Sequence, residues 1–264
     1  MKQNLHFFLL FGLLMLLTAC EEGVLGPRQT VCLEVRQENN SGSTIDRQYN
    51  NQQLSEIYVL QNGNIQYYNQ FFYNDKGQVI ENQYYNLQNS NESPPEIISY
   101  NEKGNWIKSS STYANGDEIY YIIEYNAQNQ MKKLTSSSRR SGAVTLNFTI
   151  EYEWEGSNNV KRTYVSSAMR QVIVYEFDLN RQNKRRKEQE KIAFMSLTVA
   201  HNRNMYRRQT TTTTDIASGR VTETVSDFLY EYNSQGYPLQ LTRTSTTNAA
   251  APVTNTTSFY YDCE

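Results

Sequence analysis

Cysteine, histidine and paired carboxylates are the residue types of this chain that could support nucleophilic, metal or acid–base chemistry. There are three cysteines and two histidines, and His201 is the only histidine beyond the N-terminal apolar segment. A Ser-His-Asp or Cys-His arrangement would have to use His201, which lies beside the turn-like sequence NRN without a supporting partner nearby in sequence. The residue types therefore predict no catalytic group, no metal ligand and no cofactor.

Carboxylates could still act in pairs, because two acidic side chains that meet in space can hydrolyse a glycosidic bond. Glu151 and Glu153 are two positions apart, however, and this spacing is typical of the water-facing side of a strand. We therefore expect a protein that is not an enzyme, with a glycan-processing enzyme as the less favoured alternative.

Residues 1–19 have the pattern of a secretory signal. Lys2 precedes a nearly unbroken apolar run, LHFFLLFGLLMLL at 5–17, which is shorter than the ~20 apolar residues of a membrane-spanning helix. Residues 21–30 (EEGVLGPRQT) contain little that could pack in a core. We predict a signal peptide at 1–19, a tether at 20–30 and a single β-repeat domain at 31–264.

Cys20 ends the sequence LLTAC, which resembles the lipobox of bacterial lipoproteins. The resemblance implies a diacylglyceryl group on the Cys20 sulfur, cleavage before Cys20 and acylation of the new amino group. Several acyl chains would anchor the protein to a bacterial membrane, which we expect to be the outer membrane. An ordinary signal peptide with a nearby cysteine and an uncleaved anchor are the alternatives. Glu21 and Glu22 resemble the surface-export signal of Bacteroidota lipoproteins but favour inner-membrane retention in enterobacteria, so the leaflet stays open.

The charge of the mature chain argues against one class of partner. The whole chain has a formal net charge of −2, and loss of Lys2 with the signal peptide makes it −3. Binding of nucleic acid requires a concentrated basic surface. We therefore expect no nucleic-acid partner.

Cys32 and Cys263 remain once Cys20 is assigned to the lipid. An even pair in an exported protein favours a disulfide, and two unrelated buried thiols are the alternative. The bond would close a loop of about 230 residues and stabilise the fold by on the order of 4–5 kcal/mol in the chain-entropy model. It would also require the first and last strands to be neighbours.

A repeated stretch such as FFYNDKGQV at 71–79 organises the rest of the chain. In each copy an apolar or aromatic residue stands two positions before an aromatic, which is the period of a strand with one buried face. The second aromatics are Tyr73, Tyr100, Tyr125, Trp154, Phe177, Tyr232 and Tyr261. Polar residues, several of them glutamates, occupy the alternate positions and are expected to face water.

Each of the better copies continues into a turn. Asparagine at the first position of the turn accepts backbone hydrogen bonds, and glycine at the fourth adopts the left-handed conformation that follows a type I turn. The turn residues are Asn74 and Gly77, Asn101 and Gly104, and Asn233 and Gly236. In a further copy Asn129 replaces the glycine.

Spacing between copies sets the architecture. The aromatics are mostly 23–29 residues apart, which is room for two strands and two turns. We predict an all-β fold: an antiparallel up-and-down meander of about 14–16 strands, curled into a barrel-like roll or left as an open twisted sheet. An early hairpin is predicted at Asn62-Gly63. The polar outward positions argue against a lipid-facing barrel.

The copies resemble the tyrosine–aspartate (YD) repeat of the Rhs type over roughly residues 58–262, and the chain also resembles Bacteroidota repeat lipoproteins of unknown function. The residues that carry the YD resemblance are Tyr73-Asn74 with Gly77, Tyr100-Asn101 with Gly104, Tyr125-Asn126, Tyr232-Asn233 with Gly236, and Tyr261-Asp262. The resemblance implies a sheet of hairpins that serves as a scaffold or shell, with carbohydrate binding proposed for such repeats and no shared catalytic residues.

Tyrosine is the most unusual component, with 21 residues in the chain. Most are expected to fill the buried face, with each hydroxyl reaching a partner at the rim. Where two tyrosines are adjacent, one of them must face outward, and we predict ligand contacts at Tyr84, Tyr85 and Tyr120. The favoured function is binding of a glycan, a peptide or a partner protein at the cell envelope. A structural component of an envelope complex without a small ligand is the alternative.

Overall fold

The structure, a computed structural model, describes residues 32–88, 93–184 and 202–263. The predicted signal peptide, the tether and Cys20 lie outside the described residues. Within the described part of the chain, no helix is long and apolar enough to cross a membrane.

The described residues form sixteen β-strands. In chain order they are β1 Cys32–Asn39, β2 Ser43–Asn50, β3 Gln53–Gln61, β4 Asn64–Tyr73, β5 Val79–Asn86, β6 Glu96–Tyr100, β7 Trp106–Thr112, β8 Glu118–Tyr125, β9 Met131–Arg140, β10 Ala143–Glu155, β11 Asn158–Ser166, β12 Met169–Gln182, β13 Asn204–Asp215, β14 Val221–Tyr232, β15 Pro238–Thr247 and β16 Val253–Cys263. The predicted hairpin at Asn62-Gly63 is confirmed, because both residues have positive φ and connect β3 to β4.

Consecutive strands pair in antiparallel fashion, and β16 lies next to β1, so the sheet closes into a barrel. Beside this seam, the Asn40 N–H donates to the carbonyl of Thr256 at 3.0 Å, and the Thr256 N–H donates to Oδ1 of Asn40 at 3.3 Å. The predicted all-β meander is confirmed, and its sixteen strands are the largest number in the predicted range of 14–16. The sequence predicted either a barrel-like roll or an open twisted sheet, and the structure is a closed barrel.

By its internal contacts the chain divides into a large unit, Leu33–Asp262, and a small one that contains Cys32 and Cys263. In the small unit these two cysteines form the predicted disulfide, across a sequence separation of 231. The bond joins the first residue of β1 to the last residue of β16.

The inner face of the large unit carries the apolar stripe predicted from the period of two. Phe71, Ile98, Ile123 and Ile150 are each at most 5% exposed and belong to one buried cluster. Tyr73, Tyr100, Tyr125, Tyr152 and Trp154 pack against this cluster. Burying a large aliphatic or aromatic side chain contributes about 1.5–3 kcal/mol. The buried stripe therefore stabilises the curled sheet relative to a sheet that leaves these side chains in water.

The outer face carries exposed ion pairs beside exposed apolar side chains. Lys161 Nζ lies 2.7 Å from Oε1 of Glu153, which is paired with it across β10 and β11, and both side chains are exposed. Arg208 lies 3.7 Å from Asp227 in the same way on β13 and β14. Apolar side chains share this face: Val174, which pairs with Lys161, is 44% exposed.

Candidate functional site

The repeated turns share one hydrogen-bonding pattern. Oδ1 of Asn74 accepts from the N–H groups of Lys76 and Gln78, both at 3.0 Å, and the Gly77 N–H donates to the Asn74 carbonyl at 2.9 Å. The turns that begin at Asn101, Asn126 and Asn233 repeat all three bonds. Each asparagine thus closes its own turn.

The fourth turn position requires a left-handed backbone. Gly77, Gly104 and Gly236 have φ values of 71°, 81° and 81° there, and Asn129 has 63°. A residue with a β-carbon pays steric energy at such an angle, and asparagine pays less than most. This requirement explains why the third copy carries asparagine instead of glycine.

Four of the seven aromatics before the turns bond the strand that precedes them. The Tyr73, Tyr100 and Tyr125 hydroxyls donate to the carbonyls of Leu54, Val79 and Trp106 at 2.5, 2.8 and 2.8 Å. Trp154 Nε1 donates to the Met131 carbonyl at 2.7 Å in the equivalent place. Burial raises the pKa of these three tyrosines to about 12, so their hydroxyls remain donors at neutral pH.

Neighbouring turns are also joined to one another. The Gln78 side chain, just after Gly77, donates to the carbonyl of Gly104 at 3.4 Å, and Asn129 donates to Asn105 at 3.1 Å. The Gln130 side chain bonds the carbonyl of Gly156. The side chains of the repeated turns are therefore occupied within a rim of linked hairpins, which leaves the outer face of the sheet as the better place to look for a ligand.

A row of three tyrosines crosses the outer face of β3, β4 and β5. Tyr58, Tyr68 and Tyr85 are directly paired across the strands, and their rings stack with centroid separations of 5.3 and 4.4 Å. Their neighbours Ile57, Asn69 and Phe71 are buried on the inner face. We refer to Tyr58, Tyr68 and Tyr85 as the outer tyrosine row.

Among the described residues, the row ends at Tyr85. β6 pairs with β5 only at Glu81 and Asn82, so no strand of the described residues lies alongside Tyr85 on the side away from Tyr68. Since the rings stack on each other, the half-exposed row presents mainly ring edges and phenol groups.

Polar side chains border the outer tyrosine row. The adjacent register row on β2 to β5 is Gln48, Glu56, Gln70 and Gln83. The Tyr58 hydroxyl donates to Oε2 of Glu56 at 2.6 Å, and this bond is the main cause that raises the Tyr58 pKa to about 12. Amides and a carboxylate next to aromatic rings are the partners that sugar hydroxyls and ring C–H groups can use.

Two of the predicted ligand contacts lie elsewhere. Tyr84 pairs with the buried Asn69, so it occupies the inner face and only Tyr85 of that adjacent pair faces out. Tyr120 faces out on β8, but Lys108 and Arg139 lie over its ring at 5.6 and 5.7 Å from the centroid. The structure therefore brings Tyr85 together with Tyr58 and Tyr68, and leaves Tyr84 and Tyr120 apart from them.

Sequence reasoning does not find Tyr58 as part of the row. Its partnership with Tyr68 depends on the register of β3 against β4, including a shift between Val59 and Leu60. A single sequence gives no measure of that register. No group of three or more histidine, cysteine or acidic residues that could hold a metal occurs in residues 32–88, 93–184 and 202–263.

Solved structures that resemble this barrel include two porin-like proteins of Bacteroides. A porin-like protein from Bacteroides uniformis matches with a TM-score of 0.58 at 11% identity, over 87% of this chain and 98% of that one. A porin-like protein from Bacteroides vulgatus matches with a TM-score of 0.52 at 8% identity, over the same shares. At these identities the similarity shows the barrel fold alone.

Sequence comparisons add no family. No protein-family profile matches the chain, and no curated protein matches it. The resemblance to YD repeats and the lipoprotein assignment therefore stay predictions.

Proposed function

We propose that this chain is an exported, lipid-anchored and non-enzymatic binding protein of the cell envelope, and that it recognises a glycan on the outer face of β2 to β5. The observation that carries the proposal is the outer tyrosine row with its border of Gln48, Glu56, Gln70 and Gln83. A row of half-exposed aromatic rings beside planar amides suits a sugar, which presents C–H groups on one side and hydroxyls around its edge.

An envelope location has two supports. The first is the signal-like segment with LLTAC before the tether. The second is the barrel fold, which is similar to that of proteins described as porin-like. The exposed ion pairs Lys161–Glu153 and Arg208–Asp227 favour a protein held at a membrane by its lipid over one inserted through its strands. Labelling with a palmitate analogue that persists in a Cys20→Ser variant would contradict the lipid anchor.

Glycan binding is tested with the mature chain lacking Cys20, by a glycan array followed by calorimetry on the best ligand. Tyr85→Ala should weaken binding about threefold to tenfold, because an aromatic contact is worth about 0.5–1.5 kcal/mol. Leu229→Ala removes an exposed apolar side chain from the outer face of β14 and should leave affinity unchanged.

The alternative, a structural component of an envelope complex, predicts a different result. In that case the array shows no binding, and another envelope protein copurifies with the full-length chain in stable proportion. Equal loss of affinity in Tyr85→Ala and Leu229→Ala would likewise contradict the outer tyrosine row as the site.

A further inference from the structure

A positive charge is buried inside the barrel, and we propose that Arg162 of β11 binds a small carboxylate-bearing molecule in the barrel interior. This site goes beyond the proposed function, because the outer tyrosine row lies on other strands and on the opposite face of the sheet. A negative result at one site therefore leaves the other untouched.

Register places Arg162 on the inner face. It pairs with Tyr152 of β10 and with Ile173 of β12, and Ile173 is only 6% exposed. Residues directly opposite each other share a face of the sheet. Arg162 itself is 7% exposed, whereas its neighbour Lys161 binds Glu153 on the outer face.

One nitrogen of the Arg162 guanidinium is held and two are not. Nη2 donates to Oε1 of Gln171 at 3.4 Å, and Nε2 of Gln171 donates to Oγ1 of Thr213 at 3.2 Å. Nε and Nη1 are buried without a hydrogen-bond partner. The chain of bonds through Gln171 fixes the guanidinium, while its two other nitrogens can serve a ligand.

Acidic groups on the inner face have partners elsewhere. Glu34 forms an ion pair with Arg47 at 2.7 Å, and Glu96 accepts a bond from Asn82 at 3.4 Å. None of the ion pairs among the described residues includes Arg162. The charge of Arg162 is thus not balanced by a carboxylate of the described chain.

The charge of Arg162 acts on the pKa of two nearby phenols. Burial raises the pKa of Tyr152 and Tyr175, the latter to about 12, although the positive charge of Arg162 acts in the opposite direction on both. Both hydroxyls therefore stay neutral near pH 7. Neutral phenols do not balance the charge of the guanidinium.

A carboxylate fits these groups by shape and charge. An unpaired buried charge is costly, and an anionic partner with hydrogen bonds offsets that cost. The planar guanidinium matches the two oxygens of a carboxylate in a bidentate pair. A small acid such as a uronic sugar carries such a carboxylate.

Glucuronate is the probe that tests the site, with glucose as its uncharged counterpart and sodium chloride at equal ionic strength as the salt control. The protein is unfolded in urea with its disulfide intact and refolded with each probe, so that burial does not limit access. Glucuronate should bind the wild type and raise its urea midpoint, and glucose should do neither. Arg162→Gln should weaken glucuronate binding by about tenfold to a hundredfold, because bonds to a charged group are strong.

Two further variants keep the test decisive. Arg162→Lys retains the charge without the planar fork and should bind with intermediate affinity, and Arg170→Gln removes an exposed charge on β12 and should change nothing. Without a probe, Arg162→Gln should unfold at no lower urea concentration than the wild type, because it removes an unpaired buried charge. Glucuronate binding that is absent, or equal in wild type and Arg162→Gln, would overturn the proposal.

Discussion

Tyrosine before the turns has a role that phenylalanine could not fill. The ring of Tyr100 on β6 packs against the buried cluster, and its hydroxyl donates to the carbonyl of Val79, the first residue of β5. Tyr73 and Tyr125 do the same in their own copies. In these three copies one side chain thus supplies both apolar burial and a cross-link between successive hairpins.

Removing one of these hydroxyls should have a measurable cost. Tyr100→Phe leaves the ring in place but removes the donor to the Val79 carbonyl, so the free energy of unfolding should fall by about 1 kcal/mol. Urea unfolding followed by far-ultraviolet circular dichroism measures this loss. Tyr113→Phe is the matched control, since Tyr113 is 42% exposed at a turn, and no change is expected there. Equal stability of both variants would contradict the role of the hydroxyl.

At the scale of strands and turns, the repeated hairpins were predictable because they depend on local chemistry. Asparagine, glycine and the period of two are visible in any one copy, and they identify the turns and the buried stripe. Register was not predictable: shifts occur beside the pre-turn aromatics, as between Phe72 and Tyr73 and between Glu231 and Tyr232. These bulges alter which residues face each other across strands.

The candidate site was predictable only where the alternation of side chains within one strand decides which face a residue occupies. Adjacent tyrosines 84 and 85 must divide between two faces, but only the buried partner Asn69 shows which one points inward. Arg162 shares its parity with Tyr164 along β11, and this signal could have marked it as inward-facing. Its lack of a carboxylate partner depends on strands far apart in sequence, which no local pattern reports.

The buried tyrosines before the turns also predict how the stability of the folded strands depends on alkaline pH. Burial raises the pKa of Tyr73, Tyr100 and Tyr125 from 10 to about 12, so the folded state keeps these protons at a pH where the unfolded chain loses them. Stability should therefore be fully present below about pH 10 and fall as the pH rises towards 12.

Urea midpoints measured between about pH 8 and pH 12 test this expectation. Tyr100→Phe serves as the control, because a variant with one buried phenol fewer should lose stability less steeply. A midpoint that stays constant across this range, or falls equally steeply in the variant, would show that the buried phenols do not govern the alkaline transition.

At the scale of the whole molecule, the disulfide ties the two ends of the described chain. Replacing both Cys32 and Cys263 by alanine frees a loop of 231 residues, and the free energy of unfolding should fall by up to about 4–5 kcal/mol, since the unfolded chain regains its loop entropy. The comparison is made by urea unfolding of mature chains that both lack Cys20. A loss below about 1 kcal/mol would mean that the bond constrains the unfolded chain little.

The barrel as a whole says less about function than its surfaces do. Similar barrels occur in porin-like proteins of Bacteroides at 8–11% identity, and a fold shared at such distance does not carry a function with it. The outer tyrosine row and the interior Arg162 are properties of this chain's own residues. Experiments on these two places therefore discriminate between functions more sharply than the architecture can.

The bond between Cys32 and Cys263 has a topological consequence. Each strand lies between the strands that precede and follow it in sequence, and β16 lies next to β1. The disulfide brings the first and last residues of the described chain together. A circular permutant, joined there by a short peptide and opened at the turn of Gly116, would keep all sixteen strands of the barrel in the same cyclic order. The cyclic order of the strands therefore does not depend on which turn of the barrel carries the chain termini.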